Sequence, residues 1–504
     1  MRRWLALGAL LGVALSARSA RALDVETLRD SGPVDTRFNI AVLGDGYRTQ
    51  DQAKLTSDAT SIVSYLFGVS PLKEYAELFN VKLIHVISND NGADNGDYGA
   101  TRDTALDSYF NCNNIERLLC VDGGAAASIA AQDVPEFNFA VVIVNDTKYG
   151  GSGGAVCASS ANSESFEVMA HEIGHSLAKL ADEYDYAGGI APCNAQQDCR
   201  EANATLRTAR DEIKWNAWIL PQTQVPTPEM NQFASVIGLF EGGRYQTTGT
   251  YRPHLSCKMK DLGSEYCSVC SEQFVRSFWS FENIQMIEEA RPGPTLQVSD
   301  CNPIELKVTT PPITPSTYRF TWTVDGQTLP DMLDTIQLLP GALMQGTHDV
   351  SLLVEDATML VRNDPDNLLR DAHSWSISVT RNDCPTNVAG AGGVAGAAGA
   401  AGAGGAGGAG GAGVGGDGTS GMSAAGMSGQ GGVAGSGGGG MSGGAASSPA
   451  GPIGSPPPPP RDSGCGCSVP PDRSERALPA LALLLALGLR RVRSGSAPRP
   501  KPCR

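Results

Sequence analysis

The chain has 504 residues, with 38 Lys and Arg against 53 Asp and Glu, a net charge of −15. That length allows two or three domains of about 100–200 residues. The acidic balance excludes nucleic acid as a partner, because phosphate binding needs clustered Lys and Arg. No apolar run reaches the ~18–20 residues of a spanning helix, which excludes a multi-pass membrane protein.

Residues 1–22 read as a secretory signal peptide. Arg2 and Arg3 are basic, Trp4 to Leu15 is apolar, and Ala20-Arg21-Ala22 is a small-x-small cleavage site. Export implies an oxidising compartment and disulfides. Thirteen cysteines fit that expectation, ten of them between Cys112 and Cys384. Spacing suggests the pairs Cys112–Cys120 and Cys193–Cys199, with Cys301 and Cys384 bracketing one segment. Cys157, Cys257, Cys267 and Cys270 would supply two more pairs, in an order that spacing does not give. Cys267-Ser-Val-Cys270 has the form of half a zinc knuckle, but no second pair matches it, so disulfides are the expectation.

Phe38 to Leu43 is a short apolar run ending at Gly44-Asp45-Gly46 and predicts a buried strand and turn. Residues 50–67 have helical spacing, Asn80 to Ile87 is β-branched, and residues 103–118 predict a second helix. Phe139 to Val144 is the strongest central strand. Tyr149 to Gly154 is glycine-rich and precedes a further short strand. Residues 163–181 predict a helix of roughly five turns. Strands alternating with helices give an α/β domain over residues 23–294. From Thr295 the pattern changes to β-like runs at 303–309, 317–324, 348–354 and 373–379, with Trp322 and Trp375 as core candidates. This predicts a small all-β sandwich over 295–384.

Residues 385–462 are rich in Gly, Ala, Ser and Pro and predict a disordered linker with roughly 45–50 Å of mean reach. Residues 463–504 hold Cys465 and Cys467, a short apolar stretch from Ala477 to Leu489, and Arg490, Arg491 and Arg493. This tail resembles the myxobacterial carboxy-terminal sorting signal. The resemblance implies processing by sorting machinery and attachment at the cell surface or outer membrane.

The chemistry concentrates at His171-Glu172-Ile-Gly-His175. Residues four apart on a helix lie on one face, so both imidazoles can reach one Zn²⁺ at ~2.0–2.1 Å. Glu172 is rotated by ~100°, toward the space beside the metal, where it can take a proton from water. An open tetrahedral zinc needs a third protein ligand. Asp182 is preferred, provided the chain bends back after about Ala178; Glu183 and His254 remain open.

Together these stretches resemble the secreted IgA-peptidase-like zinc metallopeptidases. The shared residues are Leu43 to Tyr47, Asn145 to Gly154, His171 to Tyr184, Lys214-Trp215, Gly238 to Gly243, Tyr251 to Pro253, Cys257 to Met259 and Cys267 to Cys270. The resemblance implies a zincin-type fold, peptide-bond hydrolysis and a protein or peptide substrate. It also implies a Met-turn at Met259. Tyr184, Tyr245 and Tyr251 are candidates for oxyanion stabilisation. Immunoglobulin A is not carried over as substrate, because no residue here encodes that specificity. The rival classes are a non-catalytic surface binding protein and a zinc amidase acting on cell-wall peptides.

Overall fold

The computed structural model describes residues 23–386 except 96–98, 100, 187–191, 331 and 382. The expected signal peptide, nearly all of the linker and the sorting tail with Cys465 and Cys467 lie outside the described residues.

The amino-terminal region is built on one six-stranded sheet. Its strands are β1 (Val25–Arg29), β2 (Phe38–Asp45), β3 (Phe79–Ile84), β4 (Phe139–Val144), β5 (Gly151–Ser152) and β6 (Val156–Ser160), in the order β1-β3-β2-β4-β6-β5. The four inner strands run parallel, and β1 and β5 are antiparallel edges. Every residue of β2 and β4 is buried, as expected for parallel strands covered on both faces. The period-2 alternation divides them between two cores. Phe139, Val141 and Ile143 face the core that includes helices α1 (Gln52–Leu66), α3 (Ser165–Ala178) and α4 (Ser268–Trp279). Ala140, Val142 and Val144 face helix α2 (Gly123–Asp133) through Ala126 and Ala130.

One expectation fails in the middle of the sheet region. Residues 103–118 form turns rather than a helix. Asp107, Asn111, Asn113 and Asn114 have positive φ, which breaks a right-handed helix, and the Cys112–Cys120 disulfide closes the loop they make. The helix comes later, at α2, where the Asp122 side chain accepts the Ala125 N–H at 2.9 Å as an N-cap.

Cys193–Cys199 and Cys301–Cys384 are also bonded as expected. The two further pairs are not formed: Cys157, Cys257, Cys267 and Cys270 are buried thiols.

A hairpin of β7 (Phe240–Gly243) and β8 (Gln246–Arg252) precedes α4. Beyond it come β9 (Glu289–Arg291), β10 (Thr295–Val298), β11 (Ile304–Thr309), β12 (Tyr318–Val324), β13 (Gln327–Thr328), β14 (Thr335–Leu338), β15 (Gly346–Asp356) and β16 (Arg370–Val379). They form a five-stranded sheet, β10-β16-β15-β12-β13, and a three-stranded sheet, β14-β11-β9. Trp322 and Trp375 are fully buried and stacked, ring centroids 5.3 Å apart. Their indole N–H groups bond Leu333 O at 2.7 Å and Pro292 O at 2.9 Å, so neither is left unpaired.

The β region shares one apolar core with α1, α3 and α4. A buried carboxylate marks the junction: Asp356 at the end of β15 accepts Tyr75 OH at 2.6 Å and the Trp279 indole N–H at 2.9 Å. Removing it orphans two buried donors. Asp356→Ala is expected to cost about 3 kcal/mol or more in denaturant unfolding; a loss within ~0.5 kcal/mol, as at an ordinary surface site, would mean that the junction does not depend on it.

Candidate active site

Helix α3 carries His171, Glu172 and His175, and it is shorter than the sequence suggests. It ends at Ala178, with Lys179 in the left-handed conformation at φ +52°. The Leu180 N–H reaches back six residues to Gly174 O at 3.1 Å, one residue further than the closing bond of a Schellman turn. Lys179 thus supplies the reversal for which glycine is the usual residue.

The reversal brings Asp182 onto the histidines. Asp182 Oδ1 is 2.9 Å from His171 Nε2 and 3.3 Å from His175 Nε2, and the two Nε2 atoms are 3.2 Å apart. A tetrahedral ion with 2.0–2.1 Å bonds has ligand–ligand edges of ~3.3 Å, so these three atoms fit one metal. The opposite ring nitrogens are already committed. His171 Nδ1 donates to Lys258 O at 2.8 Å and His175 Nδ1 to Leu180 O at 2.7 Å. Both bonds put the free lone pair on Nε2, facing the cluster.

The electrostatics ask for a cation. Burial pushes the Asp182 carboxyl up, but His175 and His171 outweigh it and hold Asp182 well below the usual carboxylate range. Burial works against a charged His175, yet the Asp182 carboxylate raises it to about 10. Burial raises Glu172, with the two imidazoles pulling it back.

Of the alternative ligands, neither joins this group. Glu183 turns away into a separate buried cluster, and His254 pairs with Ser256 in an exposed loop. Of the three tyrosines, Tyr184 lies over His171 at 5.8 Å and Tyr245 packs on Tyr184 at 5.6 Å. Burial and then the Asp182 charge raise Tyr245, whose hydroxyl also bonds Asp182. Tyr251, on β8, instead pairs through its backbone with Thr205.

Glycines make room for the reacting groups. A Cβ on Gly153 would stand 2.7 Å from Glu172 Oε2 and 3.2 Å from His175 Cβ. A Cβ on Gly174 would stand 2.5 Å from Met259 Sδ, so the fully buried Met259 packs directly against the helix between its histidines. Within the glycine-rich segment, Gly151–Ser152 forms an edge strand of the sheet, and Leu118 bridges it at Gly151.

Three contributors carry no local sequence signal. Asn203 is fully buried and clamps the reversal, bonding Ala181 N at 2.8 Å, Ala181 O at 2.9 Å and Glu183 Oε1 at 2.9 Å. Lys258, whose carbonyl orients His171, is held by Glu167 at 2.6 Å. Arg117 sits 5.9 Å over the Tyr184 ring and bonds Tyr186 OH at 3.2 Å.

A family model described as IgA Peptidase M64 matches residues 26–233 and 229–278, just over half of the chain. No curated protein matches. Among solved structures, the endo-beta-1,4-mannanase from Thermotoga petrophila aligns at 11% identity over 68% of this chain and 65% of that chain. Its TM-score of 0.14 carries no argument about fold or function. The matched residues take in the whole of the histidine cluster and the Cys257–Met259 turn.

Gly153→Ala is expected to lower kcat/KM for a peptide by about 10²-fold through displacement of Glu172, with metal affinity by chelator competition near wild type. Loss of metal instead would assign the glycine's role to the ligands.

Proposed function

The chain belongs to the IgA peptidase M64 family, and from that premise we propose that it is a zinc-dependent endopeptidase with its metal held by His171, His175 and Asp182. The convergence of those three donor atoms, each imidazole locked from behind by a carbonyl, carries the reading. Two imidazoles and one carboxylate form a donor set suited to Zn²⁺ with a position left open. Bound there, the ion supplies Lewis acidity to the scissile carbonyl and the attacking water.

The protein's own groups do the rest. Glu172 is a buried carboxylate beside the cluster, with burial raising its proton affinity. It takes the water proton and passes it to the departing amine. Tyr245, Tyr184 and Arg117 line the tyrosine side, where hydroxyl and guanidinium donors can meet the developing oxyanion. The Gly153–Gly154 backbone, beyond the bridged part of the edge strand, offers an extended substrate its pairing partner. The substrate class is protein or peptide. The export signal, linker and tail support an exported enzyme held at the cell surface.

Glu172→Gln tests the mechanism. The variant should keep its zinc and lose about 10²–10⁴-fold in casein hydrolysis. Near wild-type cleavage by a zinc-loaded variant would overturn the role of Glu172. Activity on peptidoglycan fragments with none on casein would move the enzyme to the amidase class.

A further inference from the structure

Among the described residues, three of the four unpaired cysteines gather in one place. Cys257, Cys267 and Cys270 meet Glu183 in a fully buried group whose ligand atoms all lie within 4.8 Å of one another. Cys267 is the N-cap of α4 and Cys270 lies in its first turn, so both thiols face the helix N-terminus. Cys257 enters from the turn that carries Met259. Its sulfur accepts the Cys267 N–H at 3.3 Å, a backbone bond of the kind that stabilises a thiolate. Cys257 Sγ is 3.6 Å from Cys270 Sγ, and Cys270 Sγ is 3.4 Å from Glu183 Oε1.

Those spacings are wrong for a disulfide, which needs about 2.0 Å between sulfurs. They match a tetrahedral ion with Zn–S bonds of ~2.3 Å and a Zn–O bond of ~2.0–2.2 Å, for which the S–S and S–O edges are about 3.8 and 3.5 Å. Three thiols also cannot pair among themselves without leaving one over, and Cys157 has its sulfur contact elsewhere, with Met169 at 3.4 Å. Glu183 supplies the independent sign. It is 1% exposed, and its Oε2 has no hydrogen-bond partner. A buried carboxylate oxygen with nothing to bond is costly unless a cation takes it.

We propose that Cys257, Cys267, Cys270 and Glu183 form a second, structural zinc site. The donor set is closed at four, and thiolates select Zn²⁺ over harder divalent ions. On binding, the three thiols release their protons to solvent. The site joins three pieces of chain: the loop after α3, the Cys257–Met259 turn and the start of α4. Glu183 follows Asp182 directly and Met259 lies two residues after Cys257, so one ion fixes both neighbours of the histidine cluster. This site does not depend on the peptidase reading.

The test uses the full-length protein, dialysed against Zn²⁺ and freed of excess. X-ray absorption at the zinc edge should show sulfur at about 2.3 Å. Unfolding with chelator and no reductant, followed by alkylation, should label Cys257, Cys267 and Cys270. Cys270→Ser should abolish most of the sulfur signal, and Cys157→Ser should leave it unchanged. If Cys270→Ser does not fold, the wild-type spectrum and thiol map decide alone. A spectrum with only nitrogen and oxygen neighbours, or a disulfide-linked peptide containing any of the three cysteines, would overturn the site. Failure of the histidine site would look different: sulfur would remain, and the nitrogen-bound zinc would be missing.

Discussion

The candidate site hangs on one backbone reversal. A straight continuation of α3 would carry Asp182 about 10 Å past His175. The left-handed Lys179 and the Leu180–Gly174 bond fold the chain back within one turn instead. Once reversed, the segment is held on every side. Glu183 N donates to Met259 O at 2.8 Å, Arg244 N to Asp182 O at 2.8 Å and Tyr245 N to Tyr184 O at 2.9 Å. Asn203 closes the remaining side. A non-glycine residue in this conformation costs roughly 1 kcal/mol, and the ring of bonds offsets it.

That packing separates the residues that react from those that build. Leu43 to Tyr47 is a structural motif. Buried Asp45 accepts Leu106 N at 2.9 Å and Ser108 N at 3.2 Å, which anchors the irregular loop after β3. Gly44 lies under Leu55, where a Cβ would stand 2.5 Å from its methyl carbon. Tyr47 bonds Asp58 on α1 at 2.6 Å. Trp215 ties its indole to Gly238 O at 2.7 Å, and Lys214 holds Glu201 O and Ala204 O at 2.8 Å each, which steadies the loop bearing Asn203. The proposed chemistry lies at α3, the reversal, the tyrosines beside it, Arg117 and the Gly153–Gly154 backbone.

The histidine pair was legible because its geometry is local: four residues on a helix fix one face whatever surrounds it. The inner strands were legible through unbroken apolar runs, and the later strands through alternation between turns. The helix expected at 103–118 was not there, because asparagines that tolerate left-handed φ and a short disulfide loop outweigh apolar spacing. Helix α2 was hidden by opening on Gly123-Gly124 and by its alanines, which give little periodic contrast. Asn203 and Lys258 act across 22 and 87 residues of sequence, and no spacing rule reaches that far. The thiol cluster was half visible. Cys267 and Cys270 have knuckle spacing, but their partners are a single cysteine and a glutamate next to a candidate ligand of another site.

Anomalous diffraction from zinc-soaked crystals, collected on both sides of the zinc edge, tests the three-ligand centre most directly. One peak is expected within about 2.0–2.2 Å of His171 Nε2, His175 Nε2 and an Asp182 carboxylate oxygen. A peak bound by the two histidines with Asp182 turned away, or no peak between them, would contradict it.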